Sequence, residues 1–197
     1  NVVYGEKNEG TDEYKNWMFV DTYTEATDYS VYLKGTAIAG ELTVNAGIDV
    51  GNNTGISSIT YTNSSNSNSK DVTFYTNGGK LVIDDTNASS HQYHYGKSAS
   101  VEVTTGNNCY EGHAVVGAMT INQGKAIASK GAYVGVVKAS SGVKLEEKDG
   151  GVFVIPENAK ASDIDSTVAS QIGYTISGDT VTPNSDKANK TYYVIMI

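Results

Sequence analysis

The chain has 197 residues and a formal net charge of −8 at neutral pH, with 22 acidic side chains against 14 basic ones. All of the basic side chains are lysines, so arginine, the residue best suited to grip phosphate and carboxylate groups, is absent. The acidic balance and the missing arginine argue against nucleic acid as a partner and against attachment to an anionic membrane surface.

The composition also limits the fold and the compartment. Hydrophobic residues make up 39% of the chain and glycine contributes 21 residues, which favours a thin, distributed core in one domain with a smaller attached unit. Cys109 is the only cysteine, so no intrachain disulfide can form. No apolar run approaches the length of ~18 residues that a membrane-spanning helix needs, so we expect no membrane insertion. Asn1 stands where an initiator methionine would, so we expect that an N-terminal segment has been removed, either by processing or by the choice of the region expressed.

Residues 1–30 are acidic and rich in tyrosine. The end of a strand stack exposes unpaired backbone groups, so we predict that this segment is an N-terminal cap. An aromatic platform for sugars is the alternative that the same residues allow.

Pairs of apolar residues separated by one residue recur through the middle of the chain and predict residues 31–156 as a parallel β-helix. The pairs are Leu42/Val44, Ile59/Tyr61, Leu81/Ile83, Val101/Val103, Met119/Ile121 and Val143/Leu145. A repeat of about 20 residues built from short strands is typical of a solenoid, in which each coil buries its apolar face against its neighbours. A β-sandwich also has short strands with frequent turns, but the matched spacing favours parallel coils.

Residues 157–197 are predicted to cover the C-terminal end of the coil. Ile164, Val168 and Ile172 recur every fourth residue before Gly173, which predicts a short helix that ends at the glycine. A hairpin is predicted over 174–182 and an apolar strand over 192–197. The predicted fold class is therefore all-β, a parallel β-helix with a short helix and a hairpin as its C-terminal cap.

Histidine, tyrosine, cysteine and glutamate concentrate in one part of the chain: His91, Tyr93, His94, Tyr95, Cys109, Tyr110, Glu111 and His113. The separation of His94 and His113 is close to one coil, so they could lie on adjacent rungs at the strand spacing of ~4.8 Å. His94, Cys109, Glu111 and His113 supply ligand types that zinc accepts, but no short ligand pair accompanies them. We favour a structural stack of aromatic and imidazole rings, and we predict no cofactor.

Carboxylates could serve as glycoside-cleaving acids, which need two groups held ~5–10 Å apart. Glu102 lies between two valines and is predicted to face outward. Its equivalents on the neighbouring rungs are Val82 and Thr120, which do not extend an acidic line. We therefore predict no catalytic residues.

Two motifs, Tyr93-His94-Tyr95-Gly96 and Cys109-Tyr110-Glu111-Gly112-His113, followed by strands punctuated by glycine, resemble a family of short surface-exported β-helix domains of Gram-positive gut bacteria. The resemblance covers roughly residues 79–156, and the second motif departs from the family's YHE-like pattern. It implies a right-handed β-helix, export to the cell surface, and a role in adhesion or glycan binding.

The expected function is therefore that of an extracellular binding or structural module, carbohydrate-binding or adhesin-like. The candidate ligand-binding residues are Tyr93, His94, Tyr95, Tyr110 and His113. The expected partner is a glycan or another cell-surface ligand, with the oligomeric state left open. The alternative is a β-helix enzyme, a lyase or glycoside hydrolase, that acts on polysaccharides.

Overall fold

The structure is a computed structural model that describes residues 58–64, 66–67, 69–190 and 192, with backbone alone at 75 and 77, and the backbone of five strands nearer the N terminus. Its main feature is a coil of short parallel strands, which confirms the predicted all-β parallel β-helix. Backbone hydrogen bonds therefore run from each coil to the next, so that successive rungs hold side chains in register.

The first strands pair differently from the rest. Strand β1 (Val2–Lys7) pairs antiparallel with β2 (Tyr14–Val20) and also with β3 (Ser30–Leu33). Strand β3 then begins the parallel pairing.

The parallel strands form two ladders. The first ladder runs through β3, β5 (Val50–Asn52), β7 (Asp71–Asn77), the first half of β9 (His91–Val103), β10 (Asn107–Tyr110), β12 (Lys125–Ala128) and β14 (Lys144–Glu147). The second ladder runs through β4 (Glu41–Asn45), β6 (Ser58–Asn63), β8 (Lys80–Asp85), the second half of β9, β11 (Val115–Ile121), β13 (Tyr133–Ala139) and β15 (Val152–Val154). The long strand β9 belongs to both ladders.

Five of the six predicted apolar pairs lie in register on the second ladder. Their first members are successive register partners: Leu42, Ile59, Leu81, Val101 and Met119. The sixth assignment is wrong, because Met119 is followed in the ladder by Val136, while Leu145 pairs with Ala126 on the first ladder. Aliphatic residues occur on both ladders in the last coils, so spacing alone does not assign a strand to its ladder.

The region after β15 contains the predicted helix and hairpin. Helix α1 (Ser166–Gln171) begins after Asp165, whose carboxylate accepts hydrogen bonds from two backbone amides of the first turn, and it ends before Gly173. Strands β16 (Tyr174–Ser177) and β17 (Thr180–Pro183) form the hairpin, and α2 (Ser185–Ala188) follows. The strand predicted over 192–197 lies outside the described residues, apart from Tyr192.

Within the described residues, a single buried cluster of mostly apolar side chains runs from Ile59 in β6 to Tyr174 in β16. The side chains of Val168 and Ala169 in α1 belong to it, as do Ile164 before the helix and Ile172 after it, so the helix packs against the coil as predicted. In the part of the chain that the structure describes, no helix is long and apolar enough to cross a membrane.

Candidate functional site

The wall formed by β9 and β10 separates the predicted ligand residues into two groups. Tyr93 and Tyr95 are partly exposed on the outer surface, whereas His94 between them points inward and is 4% exposed. Cys109 and Tyr110 divide in the same way, with Tyr110 fully buried. Alternation along a strand forces this separation, because neighbouring side chains leave opposite faces of a sheet.

The prediction that His94 and Tyr110 belong to a ligand-binding surface is therefore wrong, because both side chains lie in the interior of the coil. The His94 ring lies between Phe74 at 5.4 Å and Tyr110 at 4.3 Å, with interplanar angles of 25° and 18°. Tyr61 meets Phe74 edge-on at 5.4 Å. The predicted stack of aromatic and imidazole rings is thus confirmed for His94, and it forms an inner column on the first ladder.

Burial determines the charge of His94. Desolvation lowers the pKa of His94 to about 4, and the hydrogen bond to Asn108 only partly opposes this shift. The imidazole is therefore neutral at neutral pH. Its Nε2 lies 2.9 Å from Asn108 Oδ1, and because that oxygen can only accept, Nε2 carries the ring proton.

A buried carboxylate that the sequence analysis did not single out lies near this column. Asp85 is fully buried, and its Oδ1 accepts hydrogen bonds from Asn63 Nδ2 at 3.1 Å and from the Asn87 backbone amide at 2.7 Å. Its Oδ2 accepts from Gln92 Nε2 at 3.0 Å. Three donors replace the water that the carboxylate loses on burial, so Asp85 organises the corner between the two ladders.

Two more buried polar side chains, Gln92 and Asn108, lie on the first ladder. They are register partners on adjacent rungs, and both are fully buried. Gln92 Oε1 and Asn108 Nδ2 make no hydrogen bond within the described residues, so each of these two carboxamides is only partly satisfied. In the sequence, only their position indicates that they are buried. Each stands at an inward-facing position of a strand in which inward and outward residues alternate.

The predicted adjacency of His94 and His113 is wrong. The first ladder pairs Asp71, His91, Asn107, Lys125 and Lys144 in succession, so the coil that begins at His91 is shorter than its neighbours. Because this coil is short, Tyr110 takes the place opposite His94. His113 lies beyond β10 in an exposed turn with a φ of 60°.

The four candidate metal ligands are also separated, because they lie on different sides of the coil wall. His94 lies inside the coil, while Cys109 and Glu111 lie outside it and His113 lies in the turn. Among the residues that the structure describes, no group of three histidine, cysteine, aspartate or glutamate side chains is placed to hold a metal ion.

The remaining candidates form a patch on the outer surface of the first ladder. We call this patch the outer tyrosine face, and its members are Tyr93, Tyr95, Cys109, Glu111 and Lys130. Lys130 Nζ lies 2.6 Å from Glu111 Oε2, and the Tyr95 hydroxyl lies 3.5 Å from the same oxygen. The Tyr95 ring also lies so close to the Cα of Gly112 that a Cβ there would be 3.2 Å from Cδ1. These contacts hold the ring of Tyr95 against the turn.

His91 extends the outer tyrosine face at one end. Its ring lies 6.3 Å from the Tyr93 ring at an interplanar angle of 13°, and its Nδ1 is 3.2 Å from Asp71 Oδ1. Burial, followed by the charge of Asp71, raises the pKa of Tyr93. The tyrosine hydroxyls of this face are therefore protonated at neutral pH and can donate hydrogen bonds.

Two further polar groups of the outer surface are Cys109 on the first ladder and Glu102 on the second. Burial, reinforced by the charge of Glu111, raises the pKa of the Cys109 thiol, which keeps it in the unreactive protonated form. Glu102 faces outward beside Val82 and Thr120, as predicted, and forms an ion pair with Lys80 at 2.8 Å.

Comparisons of the chain with known protein families, with curated proteins and with solved structures found no match.

Proposed function

We propose that the protein is an extracellular binding module that holds a carbohydrate ligand on the outer tyrosine face. The observation that carries the proposal is the placement of Tyr93 and Tyr95 on the same outer face of β9, with the Glu111–Lys130 ion pair beside Tyr95. A tyrosine ring offers an apolar face and a hydroxyl tip, a combination that suits the apolar and polar faces of a sugar.

The rigidity of this face supports the proposal. Strand β9 is hydrogen bonded to β7 on one side and to β10 on the other, so the two rings stand on a surface that is organised before a ligand arrives. A pre-organised site loses less conformational freedom when a ligand binds. The extracellular location belongs to the proposal, and it rests on the resemblance of the motifs to surface-exported domains.

A glycan array of plant and host polysaccharide fragments tests the proposal directly. We expect the unchanged protein to bind a subset of the array, and we expect Tyr93→Ala combined with Tyr95→Ala to abolish that binding without loss of the β-rich circular dichroism spectrum. Tyr133→Ala is the matched control, because Tyr133 is a partly exposed tyrosine on β13 of the second ladder.

Two outcomes would contradict the proposal: no binding by the unchanged protein, or binding that survives loss of both rings. The first outcome favours a purely structural module. Release of unsaturated or reducing-end products from the same polysaccharides would instead favour the enzyme alternative.

A further inference from the structure

The last rung of the coil has backbone N–H and C=O groups on a side where none of the described strands follows. Within the described residues, β14 pairs only with β12, and β15 pairs only with β13. The far side of each strand therefore carries backbone N–H and C=O groups that a further strand could bind. The structure shows which groups bind there instead.

The side chain of Gln171 occupies the place of a strand beside β14. Its Nε2 donates to the Val143 carbonyl at 3.1 Å, and its Oε1 accepts from the Leu145 amide at 2.7 Å. In a parallel ladder, one residue of the neighbouring strand makes this same pair of bonds to the groups on either side of its register partner. The carboxamide of Gln171 thus imitates a peptide group of the next rung, opposite Lys144.

An ion pair closes the edge of β15 in a similar way. The Phe153 amide donates to Glu147 Oε1 at 2.7 Å, and Lys187 Nζ donates to the Phe153 carbonyl at 2.9 Å. Lys187 also contacts Glu147, so one ion pair satisfies both backbone groups of Phe153. The Lys187 side chain is only 9% exposed, unlike the lysines of the outer surface.

The C-terminal region holds Lys187 in position. Asn184 caps α2 by accepting a hydrogen bond from the Lys187 backbone amide at 3.0 Å. Gly173 has a φ of 84°, and a Cβ at this position would lie 2.8 Å from Asn184 Nδ2 and 3.2 Å from Lys187 Cγ. The glycine that ends α1 therefore leaves room for the lysine stem.

We propose that Gln171 and the Glu147–Lys187 pair close the C-terminal rung against a strand of a second copy of this chain. The opposite end of the coil offers the matching edge, since β4 pairs only with β6 among the described strands. A second copy carries the same rung spacing and strand direction, so head-to-tail pairing of β15 with β4 would continue the second ladder, whereas the first ladder is already covered at that end by β1. This inference is independent of any ligand on the outer tyrosine face.

The test removes the hydrogen-bonding groups and keeps most of the side-chain volume, in the double variant Gln171→Leu with Lys187→Met. The matched control is Gln123→Leu with Lys80→Met, which changes the same residue types at an exposed turn and in an exposed ion pair. Molar mass is measured by light scattering over about a hundredfold range of concentration. We expect the edge variant to self-associate at least about tenfold more tightly than the control and the unchanged chain.

The proposal is overturned if the edge variant keeps a native circular dichroism spectrum and its mass follows the control at every concentration. Hydrogen exchange on the unchanged protein provides a second test if the variant does not fold. The Leu145 and Phe153 amides should exchange as slowly as those of Ala126 and Val134 on inner rungs. Exchange as fast as at the exposed turn residue Gly178 would also overturn it.

Discussion

The interiors of the two ladders differ in their chemistry. The second ladder is filled by aliphatic side chains such as Leu81, Val101 and Met119. The first ladder carries Gln92 and His94 on equivalent inward positions, and its polar groups bond to one another and to the buried Asp85. One coil therefore combines a wall of aliphatic side chains with a wall that also buries hydrogen-bonded polar side chains.

The difference shows that burial in this fold does not select for apolar residues alone. The second ladder gains stability in proportion to the apolar area it removes from water. The first ladder gains little from its polar groups while they are paired, but it loses much when one partner is removed or becomes charged. The two walls should respond differently to substitution and to pH.

The largest effect is expected at the junction of the two walls. Asp85→Ala removes the acceptor for the Asn87 amide and for Gln92 Nε2, both of which lie in the buried interior. We expect the free energy of unfolding to fall by about 4 kcal/mol, because each buried donor left unpaired costs about 1–3 kcal/mol and the lost side chain adds to this. Urea denaturation at neutral pH measures the change.

Asp84→Ala is the matched control for this prediction. Asp84 is the adjacent residue on β8, and its side chain is exposed. We expect the control to change the free energy of unfolding by less than about 0.5 kcal/mol. Equal losses for the two substitutions would show that the buried carboxylate does not organise the interior.

A smaller effect is expected from acid. The pKa of His94 is about 4 in the folded protein and 6.5 in the unfolded chain, so the unfolded chain binds more protons between these values. This contribution to stability is complete above about pH 6.5 and is lost as the pH falls towards 4. A pKa difference of about 2.5 corresponds to about 3 kcal/mol.

His94→Phe separates this contribution from other acid effects. Phenylalanine keeps a ring between Phe74 and Tyr110, although it gives up the hydrogen bond to Asn108. Between about pH 7 and pH 4, the free energy of unfolding of the variant should fall by about 3 kcal/mol less than that of the unchanged chain, as measured by urea titrations. His113→Phe, at an exposed turn, should keep the full dependence of the free energy of unfolding on pH. The same full dependence in His94→Phe would refute the assignment of this effect to His94.

The same contrast explains how much of the molecule the sequence predicts. The second ladder is predictable in register over five rungs because aliphatic residues recur at regular spacing in β4, β6, β8, β9 and β11. The C-terminal helix is also predictable, since Val168 is buried and Gly173 follows its end, although Ile164 lies in extended backbone before the helix begins.

The interior of the first ladder could not be predicted in the same way. Its inward residues include Gln92, Asn108 and His94, whose side chains are more often found on surfaces. The coils on this ladder also differ in length, so no fixed spacing identifies rung partners, which is why spacing matches His94 with His113 instead of Tyr110. The closing of the last rung by Gln171 depends on tertiary contacts with residues far away in the sequence, and no local pattern marks them.

The smallest effect is expected on the outer surface of the second ladder. Lys80 and Glu102 form an ion pair at 2.8 Å, but their side chains are 42% and 49% exposed, so water and salt screen the attraction. Lys80→Met should lower the free energy of unfolding by about 0.5 kcal/mol or less, and added salt should reduce the same difference further. The comparison is Lys187→Met at the last rung, where the lysine is mostly buried and also bonds the Phe153 carbonyl, so its loss should cost more. Equal losses for the two lysines in parallel urea titrations would mean that burial does not distinguish the ion pairs of the outer surface from the one that closes the coil.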